Sequence, residues 1–220
     1  MVQLVPPKPP HSDDSEARNA RRSPAPKGSN LGRERIGLDL ADRGQVLLLI
    51  DASSLFYAAM HLEIEIDYAR LLSYLVRDSW LVHAFFYTGL DPANEKQKQF
   101  LYWMQRNGYR VIAKDLIHFP DGSIKVNLNV EMAIDMMRLA ECCNTVVLVS
   151  GDGELAYALD AVAYRGIRTE LVCLRSLTSE HLINIADRYI DLASLKSDIC
   201  KPSRASDRGE SGPEMGRGSS

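Results

Sequence analysis

The sequence predicts a three-layer α/β/α domain over residues 44–198, built on a mostly parallel sheet of about five strands. Short, almost uninterrupted apolar runs alternate with helix-period segments of ten or more residues, the pattern of strands buried on both faces and joined by helical crossovers. The runs do not alternate polar with apolar, so neither sheet face is expected to meet water. A single hairpin signal, the Pro-Asp-Gly of HFPDGSIKV, interrupts the series, and no internal repeat is visible.

The first strand is expected at QVLLLID (45–51), followed by helical ASSLFYAAM and DYARLLSYLVRD. A second run, LVHAFFYTG (81–89), precedes the helix ANEKQKQFLYWMQRN, with Asp91 and Pro92 in the order expected of an N-cap and first helical residue. RVIAKDLIHF (110–119) is the third run, and after the hairpin comes the helix VEMAIDMMRLAECC. VVLVSGD (146–152) is the fourth, leading into ELAYALDAVAYRG. RTELVCLR (168–175) is the fifth, and the stretch from Glu180 to Leu195 has a helical pattern. Residues 1–43 and 199–220 are rich in small, polar and charged residues without apolar periodicity. They are expected to be disordered tails, since they cannot bury enough surface to offset the entropy of ordering.

Hydrophobic content of 45% and charged content of 25% are ordinary for a soluble globular chain. A formal charge of -3 gives no general attraction to nucleic acid, so any such binding has to be local. Arg18, Arg21 and Arg22 form one local basic cluster in the first tail. The four cysteines, Cys142, Cys143, Cys173 and Cys200, include no CxxC pair and are expected to be reduced thiols. No run approaches the length of a membrane helix and the first residues do not resemble a signal peptide, so a cytoplasmic location without membrane contact is expected.

Two predicted strands end in aspartate, Asp51 and Asp152. In open α/β sheets ligands bind beyond the carboxyl ends of the strands, where strand order reverses. If the first and fourth strands are neighbours, the two carboxylates converge there. Two unit charges 4 Å apart interact by about 4 kcal/mol at an effective dielectric near 20, so such a pair is stabilised by a cation, and all-oxygen ligands favour Mg²⁺ or Mn²⁺ over zinc. Gly151 and Gly153 suit a sharp turn and close approach of backbone to ligand. Asp152 equally suits a helix N-cap, because ELAYAL follows it. In NLNVEMAIDMMRLA, Asn129 falls on the inward side at the helix start, Asn127 or Asn129 suits a cap, and Asp135 lies three residues before Arg138. The histidines show no metal or nucleophile spacing, and neither a glycine-rich phosphate loop nor a GxSxG elbow is present. Phosphatases with an aspartate nucleophile at the first strand tip commonly carry a second Asp two residues on, and here that position is Ser53.

Four segments, in order, resemble the NYN domain, in particular its LabA-like branch, within the PIN-like nuclease superfold. IDASS (50–54) is similar to the family's apolar strand ending DGxN, and KVNLNVEMAID (125–135) to KGNVDVELAxD. SGDGEL (150–155) is similar to SGDSDF, and the stretch from Ser179 through Ala186, Asp187 and Tyr189 to Leu192 is similar to the terminal SxxLxxxADxFxxL. The resemblance implies a metal-dependent RNA nuclease using Mg²⁺ or Mn²⁺. Asp51, Asp135 and Asp152 would be its catalytic acids, and Asp51, Asp152, Glu154 and Asn129 would hold the metal. Lys125, Ser54 and Ser150 would contact the substrate. RNA is the implied partner, beside a homo-oligomeric or regulatory protein contact. The sequence departs from the family where Asn129 stands for Asp, Ser54 for Asn, Ala52 and Val126 for Gly, and Glu154 for Asp. An amide ligates without charge and cannot act as a base. The resemblance therefore also allows a regulator that keeps the fold and has lost the chemistry, and the LabA-like branch resembles regulators of gene expression.

Overall fold

The computed structural model describes residues 43–120 and 124–202. In chain order the elements are β1 (Gln45–Asp51), α1 (Ala52–Leu62), α2 (Tyr68–Val76), β2 (Trp80–Leu90), α3 (Glu95–Arg106) and β3 (Tyr109–Asp115). The short strands β4 (Ile117–His118) and β5 (Ile124–Lys125) follow, then α4 (Asn129–Leu139), β6 (Thr145–Val149) and α5 (Ala156–Ala163). β7 (Arg168–Cys173), α6 (Glu180–Ile185), β8 (Arg188–Asp191) and α7 (Lys196–Ile199) complete the series.

Six strands form one sheet in the order β3-β2-β1-β6-β7-β8, and every neighbouring pair is parallel. From β1 the chain builds outward through β2 and β3, then returns to the other side of β1 and builds outward again. Strand order thus reverses between β1 and β6, where Ile50 pairs with Val149. Alternation along β1 feeds two cores. Val46, Leu48 and Ile50 pack on one face with Leu55 and Leu71, while Leu47 and Leu49 pack on the other with Met132 and Leu159. Both layers are needed because β1 and β6 have no polar side: Val46 to Ile50 and Val146 to Val149 are all buried.

The structure corrects several expectations. The sheet has a sixth strand, β8, inside the segment read as one helix from Glu180 to Leu195. Its spacing imitates a helix because a one-and-a-half-turn helix, α6, and a four-residue strand each contribute apolar residues. Helix α3 is capped by Asn94, whose side chain accepts from the Gln97 N–H. Asp91 instead closes the preceding turn by accepting from the Ala93 N–H. The third run splits into β3 and β4, and β4 pairs antiparallel with β5 as the hairpin required. Its turn at 121–123 lies outside the described residues, as do the tail segments 1–42 and 203–220 with Arg18, Arg21 and Arg22.

The packed domain extends beyond 44–198 at both ends. Arg43 is buried and its guanidinium meets the fully buried Glu170 at 3.0 Å. Ile199 is buried, Cys200 bridges to Ile66, and the Lys201 N–H bonds the Glu65 carbonyl. Arg168 and Arg188 also face Glu170, at 3.1 and 3.7 Å, so three guanidinium groups share one buried carboxylate at the end of the sheet opposite the strand tips.

Candidate metal and phosphodiester site at the strand tips

Asp51 ends β1 and caps α1, accepting from the Ser53 N–H at 3.0 Å through Oδ1. The same oxygen accepts from the Ser53 hydroxyl at 2.6 Å. Oδ2 accepts from Ser54 Oγ at 2.6 Å and from Ser150 Oγ at 3.2 Å. Ser150 also accepts from the Asp152 N–H, and Ser54 accepts from the Gly151 N–H, at 3.2 and 3.3 Å. The two hydroxyls therefore sew the tip of β1 to the turn after β6. Ser54 and Ser150, expected to touch substrate, hold Asp51 in place. Ser53 is a third hydroxyl in this cradle, and the sequence carried no signal for it beyond its position two residues after the acid.

Asp152 occupies the corresponding tip. Its Oδ1 accepts from the Glu154 N–H at 2.9 Å, so it caps the short 3-10 turn Gly153–Leu155 that leads into α5 rather than α5 itself, which starts after Leu155. Its Oδ2 is free for another task and accepts from Asn129 Nδ2 at 2.7 Å. The same nitrogen donates to Glu154 Oε2 at 2.7 Å. Asn129 is placed there by the start of α4, where Asn127 Oδ1 accepts from the Asn129 N–H at 2.7 Å in the turn before the N-cap residue Leu128, which makes no side-chain cap bond of its own. One neutral amide thus bridges two carboxylates where the family motif has an acid.

The turn carries two glycines, and at Gly151 the close approach is to the protein's own backbone. Neither Gly151 nor Gly153 has a positive φ. A Cβ on Gly151 would lie 2.4 Å from the Leu177 carbonyl oxygen, so glycine is required for the close passage of the segment after β7.

Asp135 makes none of these hydrogen bonds. Six residues beyond Asn129 along a helix is roughly 9 Å further on. There its carboxylate accepts from the Tyr87 hydroxyl at 3.1 Å and faces Arg138 at 3.9 Å. Burial, then the charge of Asp135, pushes the Tyr87 hydroxyl well above the ordinary phenol range. Glu131, on the same helix, pairs with Lys114, whose hydrogen bond holds its carboxyl below the usual range. The backbone of Lys125 lies in β5, paired with Ile117, while its side chain lies outside what the structure describes.

Two cavities open on either side of these acids. The larger, about 530 Å³, runs from Asp51, Asn129 and Asp152 toward Tyr57, Tyr87 and Phe100. The smaller, about 260 Å³, shares Asp51, Ser53, Tyr57 and Asp152 and has an apolar floor that includes Leu55 and Val172.

Among the described residues, no three His, Cys, Asp or Glu side chains stand together as a group that could hold a metal. The donor chemistry at the tips is nevertheless of the hard-cation kind: two aspartates, a glutamate, an amide and serine hydroxyls. Mg²⁺ is commonly held by only one or two carboxylates, with waters and substrate phosphates completing its shell. The residues fit such a sparsely ligated ion, provided the Asn129 amide turns its oxygen inward.

A parallel sheet of order β3-β2-β1-β6-β7-β8 with hydrogen-bonded acids at its reversal point defines a doubly wound α/β domain, and its family match makes it PIN-like. The NYN domain family model matches residues 45–195, and the chain belongs to that family. The NYN fold is nuclease-like, and domains of this kind are often divalent-metal dependent. The chain is 32% identical over 169 residues to the Low amplitude and bright protein LabA of Synechococcus elongatus, covering 73% of this chain and 90% of the relative. A crystal structure of a protein of unknown function from Vibrio parahaemolyticus superposes with a TM-score of 0.63 at 23% identity, over 74% of this chain and 99% of the other, which supports the fold alone. Among the described residues no helix is long and apolar enough to cross a membrane.

Proposed function

We propose that this chain is a metal-dependent ribonuclease that hydrolyses RNA phosphodiester bonds at the β1 and β6 tips, with Mg²⁺ or Mn²⁺ held by Asp51, Asp152, Glu154 and Asn129. The observation that carries the reading is the placement of Asp51 and Asp152 where strand order reverses, with Glu154 tied to Asp152 through one amide. When bound, such an ion lowers the pKa of a water and offsets charge on the leaving oxygen. The chain's own contribution is positional. Ser54 and Ser150 fix the Asp51 carboxylate, so it loses little freedom when it takes up a ligand. Before an ion binds, the Asn129 amide nitrogen holds Asp152 and Glu154 toward one point, and the amide oxygen takes its place when the ion is held. Lys125, on the neighbouring hairpin, supplies a phosphate contact, and Asp135 supports the cleft wall through Tyr87.

A second reading, a regulator that holds RNA or a protein partner without cutting, is favoured by one specific feature. The amide of Asn129 removes a charge from the cluster and offers N–H groups to its neighbours. A cleavage time course on labelled single-stranded and structured RNA separates the two readings. It is run with Mg²⁺, Mn²⁺ or chelator, beside an Asp51→Asn/Asp152→Asn control. Metal-dependent cleavage that disappears in the control supports the nuclease. Retention of RNA in a shift assay without cleavage by either protein replaces it with the binding regulator.

A further inference from the structure

We infer that Phe56 and Tyr57, on the second turn of α1, form a base-stacking platform that makes this site select single-stranded over duplex RNA, with little preference among bases. The inference rests on the proposed RNA reading of the site and adds a specificity determinant to it.

Both rings belong to the helix that Asp51 caps, and both are exposed, Phe56 at 59% and Tyr57 at 57%. At about 1.5 Å of rise per residue, Phe56 lies roughly 7 Å along the axis from the strand-tip carboxylate, about the reach of one nucleotide from a phosphate held there. The rings stand edge to face, with centroids 5.7 Å apart and planes at 69°. They therefore offer two differently oriented surfaces rather than one flat plate.

Both line the larger cavity, and Tyr57 lines the smaller one as well. Tyr57 thus stands at the boundary between two cavities that share Asp51 and Asp152. A strand crossing the acids would leave a base on each side of this residue. A paired base in a duplex is already stacked above and below and cannot present a free face, so the platform serves only unpaired nucleotides.

The polar groups around the larger cavity explain the lack of base preference. Gln97 donates to the Gly89 carbonyl at 2.7 Å and accepts from the Asp91 N–H at 2.9 Å. Thr88 donates to the Gly89 carbonyl at 3.0 Å, and the Asn127 oxygen accepts from the Asn129 N–H. These groups are occupied within the protein, whereas every base has a π-face to stack.

The acids repel phosphate, so the cation that the proposed function requires is also needed for this contact. The test is fluorescence anisotropy with the full chain in Ca²⁺, repeated in Mg²⁺. Ca²⁺ is an oxygen-ligated cation, used so that the proposed Mg²⁺- or Mn²⁺-dependent cleavage does not consume the probe. The probes are a labelled mixed-sequence single strand and its blunt duplex, each run on a gel after titration and read only where intact. The expected result is clear preference for the single strand, about tenfold weaker binding in Phe56→Ala or Tyr57→Ala, and recovery in Tyr57→Trp. Thermal midpoints should not change, because both rings are exposed. Wild-type binding with unchanged affinity in both alanine variants overturns the platform and leaves the RNA reading standing. Loss of self-association in those variants, with RNA affinity intact, would reassign the face to contact between copies. Equal affinity for single strand and duplex overturns the selectivity. No binding of either probe by wild type, with or without either cation, overturns the RNA reading itself.

Discussion

Replacing Asn129 by Asp is the sharpest probe of the strand tips, because it changes one atom type between two carboxylates. In the native chain the amide nitrogen makes two charge-assisted hydrogen bonds, each 2.7 Å long, to Asp152 and Glu154. Hydrogen bonds to charged groups contribute about 1.5–3 kcal/mol each, and the low end applies at a half-exposed site, giving about 3 kcal/mol for the pair. The aspartate removes both and adds repulsion that solvent screens. At about 2–4 °C per kcal/mol for a domain of this size, the variant should melt about 6–12 °C below wild type in chelator. Metal should reverse the order of response. The added carboxylate strengthens ligation, and saturation at a hundredfold excess over Kd returns about 2.7 kcal/mol. Thermal melts of both proteins in chelator and in rising Mg²⁺ or Mn²⁺ read this directly. Coincident melts in chelator would refute the bridging role of Asn129. An identical metal response in the two proteins would refute the assignment of the tips as a cation site.

Two further expectations concern the body of the domain. Glu170→Gln leaves Arg43, Arg168 and Arg188 around a neutral amide in a fully buried position, so urea unfolding should report a loss of about 3–5 kcal/mol. Burial pushes the Cys143 and Cys173 thiols up from 9.0 to about 11 in both cases. A raised folded-state pKa means that the folded state keeps a proton the unfolded state has lost. Stability from these groups is thus complete below pH 9 and lost as pH rises toward 11, and half-buried Tyr68 and buried Tyr87 and Tyr109 act in the same direction from 10 upward. Urea midpoints measured across that range should fall, and by less in a Cys143→Ala/Cys173→Ala variant.

The strand tips were legible in the sequence because a buried strand that stops at an aspartate is a local signal. QVLLLID and VVLVSGD each carry it within a few residues. That the two are neighbours is not local, since parallel pairing depends on the order of crossovers, and only the structure sets β1 beside β6. The inward position of Asn129 followed from helical periodicity, while its double donation depended on a turn on another element. Strand β8 escaped because its four residues are all only partly buried and follow a short helix without a turn signal. Glu170 was hidden for the opposite reason. It lies inside RTELVC, and its partners come from residue 43, residue 168 and the following strand.

The hydroxyl bond between Ser150 and Asp51 spans 99 positions of sequence. On a growing chain, β1 can find β2 as soon as the first crossover is made, yet its other edge stays open until the hairpin, α4 and β6 have all been synthesised. Closing so long a loop costs only slightly more than closing one half its length, so the delay is one of order rather than of free energy. Nascent fragments ending before β6 carry Asp51 without Ser150, Asp152 or Glu154. No truncated product assembles the acid cluster, and its appearance marks a chain that has been made through β6 and paired in the correct order.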